Sequence, residues 1–152
     1  RKPSTILFFQ LMAVKQKHPE YLEQAETLLH VPDYFHYLLT GNKTCEYTEA
    51  TTGQLVSLLQ RTGILNSLIC SAIREKFQKL IMPGTSIGHF SEKVKEEVGF
   101  DLEVVAPATH DTGSAVLAVP ANDDDFIYIS SGTWSLMGLR ERLPTAPKRA
   151  AS

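Results

Sequence analysis

Two short polar stretches in the last third of the chain carry residue types that could transfer a phosphoryl group. The first, Thr-His-Asp-Thr-Gly-Ser over residues 109–114, puts the Asp111 carboxylate at the start of a helix rich in small residues. An ionised aspartate can take a proton from a hydroxyl while that oxygen attacks phosphorus. His110 and Thr112 flank this carboxylate and could hydrogen-bond further hydroxyls. The same pattern fits a carboxylate that only stabilises the helix N-terminus, so this stretch alone leaves both interpretations open.

The second stretch, Ser-Ser-Gly-Thr-Trp-Ser over residues 130–135, lies between two predicted strands. Gly132 would let the backbone approach a phosphate, and Thr133 could donate hydrogen bonds from its hydroxyl and its amide. The simpler interpretation is a hairpin turn in which glycine supplies a positive φ. The GxxxxGK[ST] order is absent, so this is no Walker loop. The two stretches together are more specific than either one alone.

The bulk properties limit the classes of protein to consider. The chain has 152 residues and a net charge of −2, which suits one domain, or one domain and part of another, and argues against a nucleic-acid partner. No apolar run reaches the length of a membrane span. Cys45 and Cys70 lack CxxC spacing, which favours free thiols in a reducing cytoplasm. The histidines show no metal-ligand spacing, so we predict no metal site from this chain.

The hydrophobic periodicity and the Pro and Gly positions predict mostly helix, followed by strand, helix and hairpin. Tyr34, Phe35 and Tyr37 are expected to pack in the core or between domains. A domain boundary is expected near Pro107, and the Pro-, Ala- and Arg-rich end is expected to be disordered. The predicted helices cover 5–18, 20–29, 32–40, 66–80, 91–98 and 111–119, with a short helix or turn in 46–55; the predicted strands cover 102–106, 126–129 and 134–139, with a tight turn at 130–133.

Residues 108–116 and 129–138 together resemble the motifs of the FGGY carbohydrate kinases, in particular of those that phosphorylate L-rhamnulose. Residues 31–41 and 45–52 fit the pattern that this family shows near the end of its first domain. The resemblance implies an α/β fold, a fragment of the actin-like, ribonuclease H-like sugar kinase fold. It also implies a division into the C-terminal part of the sugar-binding domain (1–106), the hinge and start of the nucleotide-binding domain (107–139), and a tail (140–152).

The resemblance also implies roles for five residues. Asp111 matches the catalytic proton acceptor, and His110 and Thr112 match its substrate-contacting neighbours. Gly132 and Thr133 match positions at the nucleotide phosphates. The implied reaction transfers the γ-phosphoryl group of ATP to a sugar with Mg²⁺ present, without a nucleic-acid or membrane partner.

Two alternatives to this interpretation stay open. Within the same fold, the substrate could be another ketose or a polyol. In a different class, the chain would be a non-catalytic helical interaction module in which Asp111 only stabilises its helix. The family's first phosphate loop and most of its second domain are missing from the sequence. Since phosphoryl transfer depends on positioning and charge neutralisation, we expect negligible activity from this chain alone.

Overall fold

The N-terminal part is a pair of helices. A computed structural model describes residues 7–53, 56–57, 62–63, 74–121, 126–133 and 135–139. Helix α1 (Leu7–Lys17) ends just before Pro19, which begins α2 (Pro19–Gln24). Proline is favoured there because the first helical N–H groups lack partners in any case. The predicted start of α1 near residue 5 lies outside the described residues. Around the buried Leu11 pack Leu7, Met12, Leu22, Leu28 and Phe77.

Helix α2 is shorter than the predicted helix over 20–29. It ends at Gln24, and Ala25 already has an extended backbone. The chain beyond it is held by a 3₁₀ turn at Arg74–Lys76: the Lys76 ammonium donates to the Ala25 carbonyl at 2.5 Å, and the Leu28 amide donates to the Lys76 carbonyl at 2.9 Å. These tertiary hydrogen bonds replace the helical ones, so the prediction was wrong after residue 24.

Helix α3 (Val31–Thr40) agrees with the predicted helix over 32–40 at both ends, but it buries other residues than the aromatic ones expected. Pro32 lies in its first turn, and Gly41 ends it with a left-handed φ of 77°. The residues that α3 buries are Asp33 and His36, whereas Tyr34 and Phe35 are 49% and 60% exposed. The expectation of core packing is therefore wrong for these two side chains, and packing between domains stays a prediction.

A parallel strand pair follows α3. Strand β1 (Cys45–Glu46) pairs with β4 (Leu80–Ile81), and helix α4 (Tyr47–Thr52) begins directly after β1, as predicted for a short helix. The predicted helix over 66–80 is wrong at its C-terminal end, because residues 80 and 81 form β4; most of its length lies outside the described residues. Strands β2 (Val56–Ser57) and β3 (Thr62–Gly63) pair antiparallel.

The next unit is an antiparallel pair with a helix in its connection. Strand β5 (Ser86–His89) pairs with β6 (Glu103–Val105), and α5 (Glu92–Val98) lies between them in sequence. Ser91, the first residue of the predicted helix over 91–98, is the N-cap of α5, and its side chain makes no capping hydrogen bond. Gly99 ends the helix as predicted, with φ of 82°.

The last described unit is a helix packed on a hairpin. Helix α6 (Asp111–Leu117) contacts β7 (Ile127–Ser131), which pairs antiparallel with β8 (Ser135–Leu139). The helix ends two residues before its predicted end. Ser130 and Ser131 continue the strand, opposite Leu136 and Ser135, so the turn is tighter than the predicted one at 130–133. Among the helices of the described ranges, none is long and apolar enough to cross a membrane.

Candidate active site

A cleft of about 460 Å³ lies between the N-terminus of α6 and the β7–β8 hairpin. All five residues that the sequence singled out line this cleft, although a helix and a strand separate them along the chain. The lining consists of His110, Asp111, Thr112, Ala115, Ser130, Gly132, Thr133 and Leu136. A carboxylate, an imidazole and hydroxyl groups thus face a space large enough for part of a sugar or of a nucleotide.

The Asp111 carboxylate is open to solvent and is held by its immediate neighbours. Its side chain is 93% exposed. Its Oδ1 atom accepts a 2.6 Å hydrogen bond from the Thr112 amide and lies 3.3 Å from the Thr112 hydroxyl. His110 Nδ1 is also 3.3 Å from this oxygen. This geometry leaves the carboxylate accessible to a bound hydroxyl, and its position in the first turn of α6 also agrees with the helix-stabilising alternative.

The turn of the hairpin forms the opposite side of the cleft. Gly132 is not among the glycines with a positive φ, so the turn does not use it in the way that the simpler hairpin interpretation supposed. A Cβ atom placed on Gly132 would meet no other atom within 4 Å. Gly132 and Thr133 are both exposed. The backbone here is therefore open to a ligand, as the phosphate-binding interpretation requires.

Glu46 holds the segment that leads to Asp111 by hydrogen bonds, and no sequence pattern singled it out. Its side chain is completely buried and caps α4, with Oε1 accepting from the Thr48 amide at 2.9 Å and Oε2 from the Glu49 amide at 3.2 Å. Oε2 also accepts from the Thr109 hydroxyl at 2.7 Å and the Thr109 amide at 3.2 Å. This one carboxylate therefore ties α4 to the residue two positions before Asp111.

The surroundings of the Glu46 carboxylate favour its ionised form. Burial alone acts to raise its pKa. The hydrogen bonds that it accepts from Thr48, Thr109 and the Glu49 amide outweigh burial and hold the pKa below its ordinary value of 4.5. Because the carboxylate is buried and already accepts hydrogen bonds at both oxygens, we assign Glu46 a structural role.

Thr48 forms a second link between α4 and the cleft. Its hydroxyl donates to Glu46 Oε2 at 2.5 Å and accepts from the His110 amide at 3.2 Å. Helix α6 lies close to this side chain, since a Cβ on Gly113 would be in ordinary van der Waals contact with Thr48 at 3.5 Å. Glutamate is not a preferred N-cap residue. The distant partners, Thr109 for Glu46 and the His110 amide for Thr48, are over sixty positions away, so local sequence gave no signal for this network.

The sequence comparisons give the family. The profile of the N-terminal domain of the FGGY family of carbohydrate kinases matches residues 6–118. The chain belongs to this family. It is 48% identical over 145 residues to the rhamnulokinase of Halalkalibacterium halodurans and 42% identical over 143 residues to that of Oceanobacillus iheyensis. Each match covers 93% of this chain and 30% of the relative, so the chain spans about a third of the length of these proteins.

Solved structures agree on the fold. A xylulose kinase from Lactobacillus acidophilus aligns with a TM-score of 0.68 over 87% of this chain and 27% of that protein, at 19% identity. A carbohydrate kinase from Novosphingobium aromaticivorans aligns with a TM-score of 0.67 over 84% of this chain and 29% of that protein, at 26% identity. The expected fold, a fragment of the sugar kinase fold, is confirmed.

Proposed function

We propose that this chain is part of a rhamnulokinase, which transfers the γ-phosphoryl group of ATP to the 1-hydroxyl of L-rhamnulose. The observation that carries the proposal is the single cleft lined by both motifs. The rhamnulokinases that match nearly the whole chain support the choice of sugar. The protein would act in the breakdown of L-rhamnose in the cytoplasm.

In this proposal Asp111 is the general base. Its exposed carboxylate takes the proton of the sugar's 1-hydroxyl as that oxygen bonds to the γ-phosphorus, while the bond from phosphorus to the ADP oxygen breaks. His110 and Thr112 orient the carboxylate through the contacts at Oδ1 and hydrogen-bond the sugar's other hydroxyls. The acid–base part of the reaction thus needs groups that already lie side by side.

Gly132 and Thr133 are proposed to hold the nucleotide phosphates. The open backbone at Gly132 and the exposed Thr133 hydroxyl suit an anionic ligand at a turn. Mg²⁺ would enter with ATP and neutralise phosphate charge. Oxygen atoms of Asp111 and Thr133 face the cleft, which fits a hydrated cation, but we assign it no ligand from this chain. A domain boundary after residue 106 stays a prediction, and the tail over 140–152 lies outside the described residues.

The proposal is tested by comparing two forms of the protein. The 152-residue chain, with ATP, Mg²⁺ and L-rhamnulose in an assay coupled to ADP release, should show negligible turnover. The full-length protein to which we assign it should turn over, with a higher kcat/KM for L-rhamnulose than for xylulose. A higher kcat/KM for xylulose would contradict the assignment of L-rhamnulose as substrate and leave the assignment of kinase activity standing. Failure of the full-length protein with every ketose and polyol would contradict the kinase assignment itself.

A further inference from the structure

A second group of chemically active side chains lies away from the cleft, at the start of α3. His30 precedes the helix, Asp33 is in its first turn, and Cys45 comes from β1. His30 Nδ1 lies 3.4 Å from Asp33 Oδ2 and 4.0 Å from Cys45 Sγ. One ligand atom from each residue falls within 4.8 Å of the other two. The spacing of the histidines concealed this group, because its third member belongs to a separate strand.

The group is buried and its polar atoms are incompletely paired. Asp33 is 0% exposed and Cys45 is 2% exposed. Asp33 Oδ1 accepts from the Glu46 amide at 2.9 Å, whereas Asp33 Oδ2 has no hydrogen-bond partner. His30 is near enough to Oδ2 for an ion pair but is not hydrogen-bonded to it. A buried carboxylate oxygen without a donor is unfavourable, and a bound cation would remove the penalty.

We propose that His30, Asp33 and Cys45 bind one Zn²⁺ ion through Nδ1, Oδ2 and Sγ. In tetrahedral zinc sites the ligand atoms lie about 3.3–3.7 Å apart. The separations of 3.4 and 4.0 Å from His30 are near this range, and the third, between Asp33 and Cys45, is at most 4.8 Å, so the side chains must close by up to about 1 Å around the ion. A thiolate and an imidazole favour zinc over magnesium, which prefers oxygen ligands. The hydrogen bond from the Glu46 amide to Oδ1 already fixes the carboxylate from behind.

A cleft borders the proposed site on the side of His30. It is separate from the candidate active site, has a volume of about 440 Å³ and is lined by His30 together with Leu7, Leu28, Pro32 and Glu49. The side chain of His30 is 11% exposed, so it is the member of the group that meets this space. A water molecule reaching the ion through this cleft would occupy the fourth position.

Binding exchanges a proton for the metal. Zinc binds cysteine as the thiolate, so the Cys45 thiol must give up its proton on binding. On binding, the S–H bond breaks, the sulfur–zinc bond forms, and the proton leaves to solvent. The site therefore needs no oxidant or other co-reactant.

The test uses the purified, reduced and metal-free 152-residue chain. Zn²⁺ is titrated against a chromogenic chelator, and Co²⁺ is followed by its thiolate charge-transfer absorption. We expect one metal per chain, with affinity reduced about tenfold or more in Cys45→Ser and His30→Ala. The matched controls Cys70→Ser and His18→Ala should bind as the unmodified chain does. Absence of stoichiometric binding, or loss of the cobalt absorption in Cys70→Ser instead of Cys45→Ser, would overturn the proposal.

A second measurement avoids substitution of a buried residue. In the Cys70→Ser variant, an excess of Zn²⁺ should raise the midpoint of thermal unfolding, and a chelator should reverse the increase. An unchanged midpoint would count against the site even if Cys45→Ser failed to fold. None of these readouts uses phosphoryl transfer, so a negative result here leaves the kinase assignment standing, and failure of that assignment leaves the zinc site testable.

Discussion

Glu46 and Asp111 are carboxylates of one molecule in opposite surroundings. Glu46 is fully buried, and its two oxygens accept hydrogen bonds from Thr48, Glu49 and Thr109. Asp111 is 93% exposed, and its contacts come from the residues on either side of it. A carboxylate that is buried and accepts five hydrogen bonds organises structure, whereas an open one is free to accept a proton from a ligand.

The buried carboxylate also determines where the open one lies. Glu46 holds Thr109, and Thr48 holds the His110 amide, so the backbone is fixed immediately before Asp111. The proposed base itself is exposed and short, and its precision must come from this support. Sites that need exact geometry depend on such hydrogen-bonded support behind the reacting group. The comparison therefore predicts large effects on rate at Asp111 and large effects on stability at Glu46.

The largest expected effect is that of Asp111→Asn in the full-length protein. Loss of the proposed base should lower kcat by about 10²–10⁴-fold, since general base catalysis contributes that much. The midpoint of thermal unfolding should hardly change, because the side chain is exposed. The coupled kinase assay and a thermal melt measure the two quantities. Asp101→Asn, at an exposed acid paired with His89, is the control. Normal kcat with reduced stability would favour the helix-stabilising interpretation.

Glu46→Gln should show the reverse pattern and mainly reduce stability. The new amide places a donor where one oxygen accepted from buried or half-buried donors, and each donor left unsatisfied costs about 1–3 kcal/mol. We expect the free energy of unfolding of this chain, measured with urea, to fall by about 2–3 kcal/mol. Glu92→Gln, at an exposed position on α5, should change it by less than about 0.5 kcal/mol. Equal effects of the two substitutions would show that the buried network does not stabilise the fold.

Thr133→Ala tests the other side of the cleft. Removing the hydroxyl should raise the KM for ATP of the full-length protein about tenfold, the value of one hydrogen bond to a charged group, and leave the KM for the sugar unchanged. Thr133→Ser, which keeps the hydroxyl, should restore the KM for ATP. Stability should not change, because the residue is exposed. An increase in the KM for the sugar instead would indicate that Thr133 contacts the sugar, which would contradict the proposed role at the nucleotide phosphates.

Local signals explain what the sequence could predict. Pro32 and Gly41 bound α3 through conformational preferences that need no partner, and both ends agree with the structure. The residues of the cleft were likewise found from short motifs, Asp111 and Thr133 among them. The contacts that bring these motifs together involve α6 packing on β7, which no local pattern encodes.

The wrong predictions share a different cause. Tyr34 was expected to pack in the core or between domains, but the residues of α3 that are buried in this chain are Asp33 and His36. Burial of a polar residue is made easier by hydrogen bonds from groups distant in sequence, such as the one that the Glu46 amide donates to Asp33 Oδ1. Similarly, α2 ends early because Lys76 supplies hydrogen bonds from fifty positions away. Such partners become visible only when the chain is folded.

The smallest expected effect is that of Thr48→Val. This substitution removes the hydroxyl that links Glu46 to the backbone next to Asp111. That hydroxyl donates to Glu46 and accepts from the His110 amide, so its loss should cost about 1–2 kcal/mol of stability and lower kcat of the full-length protein several-fold. Thr52→Val is the matched control, because its hydroxyl only donates to the Glu49 carbonyl of the same helix. Urea unfolding measures the contribution of each hydroxyl to stability, and the coupled kinase assay measures its contribution to turnover. If kcat falls equally in both variants, the link from α4 to the backbone before Asp111 does not position the proposed base.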